Sequence, residues 1–134
     1  MPTLRFPDLN PGAARHLITG ALRDWHDARQ AGRPVMPHLF ASLHGPHCAL
    51  LAPVLHSLFR FYREALKREP IVGRSEGLSE DESLLLALVS CPDLSREKLD
   101  CPAGVALGFD CALCSARIML ARALEDGGSS ARLH

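Results

Sequence analysis

Two cysteines near the end of the chain have the spacing of a reactive or metal-binding pair. Cys111 and Cys114 form a Cys-x-x-Cys within "GFDCALCSARIMLARALEDGG". Such a pair can give two thiolates to a tetrahedral zinc site, or act as a redox couple when a helix N-terminus lowers the pKa of a thiol. Two small residues that fill space in a helix have the same spacing, so three interpretations are open.

The zinc interpretation needs two further ligands. Candidates elsewhere in the chain are His38, His44, His47, Cys48, Cys91 and Cys101. The preferred set joins His47 and Cys48 to Cys111 and Cys114. Since the second pair lacks a tight, familiar spacing, we expect no cofactor, and zinc is the alternative.

The redox interpretation has a counter-argument in the neighbouring sequence. Thioredoxin-like motifs follow a strand, no strand is predicted here, and Asp110 beside Cys111 opposes a thiolate. On a helical wheel both cysteines lie off the main apolar face, near Ile118. We therefore expect reduced, free thiols packed near Ile118 against another helix or a partner subunit.

Residues 102–124 also have the sequence pattern of a helix-turn-helix, with Gly108 at the turn and Asp110 as the cap of a second helix. That helix would begin with Cys, Ala and Leu, which do not read base edges, and phosphate contacts would come from Arg117 and Arg122. DNA binding is thus a third hypothesis, and nucleic acid is not an expected partner.

No pattern for catalysis is found. The run Glu80-Asp81-Glu82 is explained by helix N-terminal charge, and "GRSEG" lacks the features of a phosphate loop. His16, His26 and His56 fall on polar helix faces and are expected in solvent. The sequence therefore gives no positive evidence for catalysis.

Helical signals follow one another along the chain. Asn10-Pro11 predicts a helix start, with its end near Gln30 before Gly32. Its apolar face is expected to comprise Ala13, Ala14, Leu17, Ile18, Ala21, Trp25 and Ala28. One or two turns from Pro37 are expected to precede a longer helix over residues 46–68, in which Pro53 marks a kink or restart.

The second half continues the pattern. Ser79 and Glu82 form a capping box that opens "SLLLALVS", a segment apolar all round. Such a helix is expected to be buried on every side, by its own domain or by a second subunit. One or two short helices are expected over residues 93–108. A final helix is predicted from Asp110 to Gly127-Gly128, with its main face formed by Leu113, Ala116, Met119, Leu120, Ala123 and Leu124.

No segment alternates with the period of two that a half-buried strand requires. The sequence therefore predicts an all-α fold, an antiparallel bundle of five or six helices. The 134 residues fit a single domain, with residues 1–9 and 128–134 as loosely ordered tails.

Composition limits the class of protein. Apolar residues make up 47% of the chain, and 15 acidic residues balance 15 basic ones, which argues against binding driven by net charge. No stretch reaches the roughly 18 apolar residues of a membrane span, and the N-terminus does not resemble a signal peptide. We expect a cytoplasmic protein whose five cysteines are free thiols and which contacts no membrane.

The second half resembles a family of short, functionally uncharacterised helical proteins from alphaproteobacteria. The shared features are Asp81-Glu82 before Leu85-Leu86, then Leu107-Gly108, and a helix that closes near Asp126-Gly127. The likeness covers about residues 13–127 through generic helix signals. It differs at "EPIVGRSEG", where the family carries a cysteine cluster. The resemblance implies a helical protein of the bacterial cytosol, with no activity or site residues.

The expected function is protein–protein binding or self-association, most simply as a homodimer. "SLLLALVS" and the face of residues 50–65 offer more apolar surface than so small a bundle buries alone. The alternatives are a metal-binding or thiol redox module built on Cys111 and Cys114, and DNA binding by residues 102–124.

Overall fold

The structure is a computed structural model and describes residues 11–43, 48–74, 77–90 and 101–132. Its described part is all-helical, with no strand. The helices are α1 (Pro11–Gln30), α2 (Val35–Ser42), α3 (Cys48–Leu66), α4 (Glu80–Ser90) and α5 (Ala103–Arg132). The all-α prediction is therefore confirmed. The predicted tail 1–9 lies outside the described residues.

The end of α1 was predicted correctly, and its geometry shows why. Gly32 has a positive φ of 70°, a conformation that glycine adopts without steric penalty. The Arg33 amide donates to the Ala28 carbonyl and the Gly32 amide to Arg29, which is a Schellman motif. The helix ends where the sequence supplies this glycine.

The capping box at the start of α4 is also confirmed. The Ser79 hydroxyl accepts from the Glu82 amide at 3.0 Å, and the Glu82 carboxylate accepts from the Ser79 amide at 2.9 Å. Both bonds satisfy amide donors that the first turn of a helix leaves unpaired.

A single apolar core joins all five helices, and α5 packs most extensively against α3. Its largest fully buried side chains are Trp25, Tyr62, Phe59, Phe109, Ile18, Leu22, Leu39, Leu51, Leu55, Leu58, Leu85 and Leu88. Trp25 is fully buried, as predicted. Within one chain α4 is not buried on every side, because Ala87 is exposed and Leu84 and Leu86 are half-buried. Burial of this remaining surface by a second subunit stays a prediction.

The last helix differs most from its prediction. It runs without a break from Ala103 through Gly108 and Asp110 to Arg132, so Asp110 is not a cap and Gly127-Gly128 is not a stop. The turn required by the third hypothesis, a helix-turn-helix over residues 102–124, is therefore not formed. Residues 93–100, in which a short helix was expected, lie outside the described part.

By length and composition, the stretch Ala103–Leu124 of α5 is able to cross a bilayer, with a mean hydropathy of 1.5. The expectation that no stretch is long and apolar enough to span a membrane is wrong by that measure. The stretch has a high mean hydropathy although Asp110 and Arg117 lie within it. Length and composition alone do not separate a membrane span from a core helix, and α5 contributes Phe109, Leu113 and Leu120 to the core.

Candidate interaction face on the last helix

Cys111 and Cys114 lie on successive turns of α5, where Cys111 is exposed and Cys114 half-buried. Both are free thiols, as is Cys101. Among the described residues no group of three or more His, Cys, Asp or Glu side chains is placed to hold a metal. His47 and the Cys48 side chain lie outside the described part, so the four-residue zinc set stays a prediction.

The continuity of α5 removes the main argument for a redox couple. Because the helix begins at Ala103, Cys111 and Cys114 lie in its interior. A thiolate is stabilised by the unpaired amides of the first turn of a helix, and these cysteines are more than one turn beyond it. The pair therefore lacks the helix N-terminus on which the redox interpretation depends.

The two cysteines belong to a longer exposed stripe. Leu107 and Ile118 retain 67% and 43% of their surface. With Cys111 and Cys114 between them, they follow one another at intervals of four, three and four residues, and so share one side of α5. We call these four residues the α5 stripe. Such spacing is typical of the seam between two paired helices.

A groove of about 430 Å³ runs beside the stripe, between α3 and α5. Its lining is mostly small or apolar: Pro53, Val54, Ser57, Phe61, Gly108, Cys111, Ala112 and Ser115. At its floor α5 comes so close to α3 that a Cβ atom on Gly108 would overlap the ring of Phe61. Gly108 is therefore required for helix contact and not for a turn.

Away from the stripe, α5 packs against the interior of the protein. Arg117 is buried and donates to the carbonyls of Val89 and Leu88, at 2.9 and 2.6 Å. These carbonyls belong to the last turn of α4, where oxygens lack partners within the helix. Arg117 thus caps α4 and is not available for the phosphate contacts that the DNA-binding hypothesis assigned to it.

The acidic residues at the start of α4 form ion pairs and hydrogen bonds within the protein. This agrees with the prediction that they are helix N-terminal charges and not a catalytic pair. Glu82 is 1% exposed and accepts two bonds from Arg23, at 2.7 and 3.0 Å. Asp81 is paired with Arg68 at 2.6 Å and accepts from the Ile71 amide. Two carboxylates thereby hold the segment that connects α3 to α4. Spacing along the sequence did not reveal the arginine partners.

The pKa values of both carboxyl groups are lowered. For Asp81 the main cause is its hydrogen bonds from Arg68. For Glu82 burial raises the pKa, but the bonds from Arg23 and from the amides of Ser79 and Gly73 outweigh it. Both groups are therefore charged in the folded protein at neutral pH, as a structural ion pair requires.

His56 was expected in solvent, and the structure corrects this. It is half-buried, and its Nδ1 accepts a hydrogen bond of 3.0 Å from Nε1 of Trp25. The pKa of His56 is lowered, first by burial and then by the charges of Arg60 and Arg29. Its role is to satisfy the indole of a fully buried tryptophan.

Comparison with known proteins returns no match among protein-family models, curated proteins or solved structures. The described part of the chain is all-helical, with an exposed apolar stripe and a neighbouring groove on α5. The resemblance to the alphaproteobacterial family stays a prediction.

Proposed function

We propose that this protein acts by binding, as a cytoplasmic homodimer of antiparallel helical bundles, and that the α5 stripe forms the dimer interface. The observation that carries the proposal is the exposed stripe of Leu107, Cys111, Cys114 and Ile118. Burial of exposed apolar surface stabilises association by roughly 25 cal/mol per Å².

A second copy of the chain is the occupant that the stripe itself favours. Its spacing of four, three and four is the same in both directions, with a large residue at each end and two small ones in the middle. In an antiparallel pair about a twofold axis, Leu107 faces Ile118 of the partner subunit and Cys111 faces Cys114 of the partner subunit. A twofold interface requires such self-complementarity.

A small residue beside the stripe supports close contact. Ser115 is exposed beside the adjoining groove, where its short side chain leaves room for a neighbouring helix. Val54 and Pro53 extend the apolar surface on α3. The interface is therefore broader than one row of side chains.

Disulfide cross-linking tests both the interface and its direction. Cys48, Cys91 and Cys101 are replaced by serine, and Cys111→Ser and Cys114→Ser are made separately in that background. Diamide oxidises the thiols, taking up two electrons and two protons for each disulfide formed. We expect a mixture of the two variants to yield covalent dimers faster than either variant alone.

The reason is geometric. In the antiparallel register Cys111 meets Cys114 of the partner subunit, whereas identical cysteines are offset by three residues, about 4.5 Å along the helix axis. Equal or faster cross-linking of the single variants alone would contradict the antiparallel arrangement. Circular dichroism spectra that match the unmodified chain verify that each variant folds.

Sedimentation tests the interface without cysteine chemistry. Leu107→Glu should convert the dimer to a monomer, because two charged side chains would be buried per dimer. Ile71→Glu is the matched control, since Ile71 is 63% exposed in the segment before α4. A monomeric unmodified chain at micromolar concentration, or a dimer that survives Leu107→Glu, would overturn the proposal.

Fractionation tests the compartment. A cytoplasmic dimer is expected in the supernatant of a cell lysate, without detergent, after membranes are removed. Recovery only from the membrane pellet would instead indicate that the stretch Ala103–Leu124 lies in a bilayer.

A further inference from the structure

A second pocket lies on α1, away from the α5 stripe. It has a volume of about 430 Å³ and is lined by Arg15, His16, Thr19, Gly20, Arg23, Arg74 and Leu78. This volume is within the range of small-molecule sites, roughly 300–1,000 Å³. Among the described residues that line it, three are arginines, one is a histidine and none is acidic.

Two of the arginines have no partner in the part of the chain that the structure describes. Arg15 and Arg74 are exposed and make no hydrogen bond or ion pair among the described residues. Arg23 differs, because Glu82 and the Gly77 carbonyl hold its guanidinium in place. One side of the pocket is therefore held in place by Arg23, and the guanidinium groups of Arg15 and Arg74 remain able to bind a ligand. A guanidinium group binds two oxygens of a phosphate or carboxylate at once.

An unpaired hydroxyl adds a second polar feature. The Thr19 Oγ1 atom is buried and has no hydrogen-bond partner among the described residues. A buried polar group without a partner costs roughly 1–3 kcal/mol. An oxygen of a bound anion would provide the missing partner.

Gly20 keeps the pocket open. It lies in the middle of α1, where glycine destabilises a helix by roughly 1 kcal/mol relative to alanine. Nothing lies within 4 Å of the position that its Cβ would occupy. A longer side chain there would extend into free space beside Arg23 and Thr19 without disturbing the core.

We propose that this pocket binds a small organic anion through a phosphate or carboxylate group held by Arg15 and Arg74, with its apolar part against Gly20 and Leu78. The proposal uses no residue of the α5 stripe, so its test is independent of the proposed dimer.

The probes are phenyl phosphate, benzoate and phenol, which share a ring and differ in charge. Calorimetric titration of the full chain at low ionic strength should give the tightest binding for phenyl phosphate and no measurable binding for phenol. Binding should weaken as salt is added, because counterions screen exposed charges. Equal binding of phenol and phenyl phosphate, or no binding of either anion, would overturn the proposal.

Variants locate the site. Arg15→Gln and Arg74→Gln should each weaken phenyl phosphate binding about tenfold, which corresponds to roughly 1.4 kcal/mol. Arg33→Gln is the matched control, since Arg33 is an exposed arginine outside the pocket lining. If the control weakens binding as much as the pocket variants, the anion binds to general surface charge and the proposal fails.

Two further substitutions separate the pocket from the charges alone. Thr19→Val keeps the side-chain shape and removes the hydroxyl, so phenyl phosphate binding should fall severalfold. Gly20→Met should abolish binding by filling the pocket, while unchanged helicity shows that the fold is intact. Full affinity in a folded Gly20→Met variant would place the anion elsewhere and overturn the assignment.

Discussion

At the residue scale, Glu82 performs two tasks with one carboxylate, and a conservative substitution separates them. Glu82→Gln keeps an oxygen for the Ser79 amide but removes the charge that pairs with Arg23. Hydrogen bonds to charged groups contribute roughly 1.5–3 kcal/mol, so we expect unfolding free energy to fall by about that amount in urea titrations. Glu64→Gln, on an exposed side chain, is the control and should change stability little.

The same carboxylates predict that the protein becomes less stable in acid. The pKa values of Glu82 and Asp81 are lower in the folded protein than the ordinary values of 4.5 and 3.8. As the pH falls, the unfolded chain therefore binds protons before the folded chain does. The stability that these groups contribute is complete at a pH above their ordinary pKa values, and it is lost as the pH falls through their lower pKa values in the folded protein. Melting temperatures measured from pH 6 downward should fall less steeply for Glu82→Gln than for the unmodified chain. Equal slopes would show that Glu82 does not contribute.

His56 predicts a second pH dependence at higher pH. Its pKa lies below the ordinary value of 6.5, because burial and the charges of Arg60 and Arg29 disfavour the protonated ring. Protonation also removes the acceptor that Trp25 uses. Stability should therefore be complete above the ordinary value and fall as the pH drops below it. His56→Asn keeps an acceptor that does not titrate, so its melting temperature should change less between pH 7.5 and 5.5. An unchanged pH dependence in this variant would contradict the assignment.

At the element scale, the contact between α3 and α5 depends on the glycine at position 108. Gly108→Ala places a methyl group against the Phe61 ring. The gain in helix propensity, roughly 1 kcal/mol, opposes an overpacking cost of roughly 1–3 kcal/mol, so we expect net destabilisation in thermal melts. Gly20→Ala has the same propensity gain in open space and should stabilise the protein. Combining Gly108→Ala with Phe61→Leu should restore part of the loss, and failure to do so would locate the clash elsewhere.

At the scale of the whole molecule, the proposed dimer links stability to protein concentration. Association stabilises the folded state by mass action, so the melting temperature should rise as the chain is concentrated. Leu107→Glu should remove that dependence, whereas Ile71→Glu should retain it. A melting temperature that does not vary from micromolar to millimolar chain would count against an obligate dimer.

The sequence by itself determined the features that rest on local chemistry. The all-helical class follows from a period near 3.6 in every apolar segment. The end of α1 follows from Gly32, and the start of α4 follows from Ser79 and Glu82, because each of these residues satisfies neighbouring backbone groups. The position of Cys111 off the main face of α5 followed from the same period. In the single chain Cys111 is exposed, so the expected packing against another helix of the same chain is not found, and packing against a partner subunit stays a prediction.

Other features could not be predicted because they depend on residues distant in sequence. Gly108 and Asp110 have the local pattern of a turn and a cap, but in the structure the helix continues through both, and Gly108 lies against Phe61 of α3. Leu50, at one end of the apolar face of residues 50–65, is 59% exposed, and periodicity alone did not show which part of that face is covered. The partners of Glu82 and His56 are 59 and 31 residues away, and only the tertiary structure brings Arg23 and Trp25 to them. Ion pairs and helix contacts between distant residues produce no periodic pattern in the sequence. Only the tertiary structure therefore shows which residues form them.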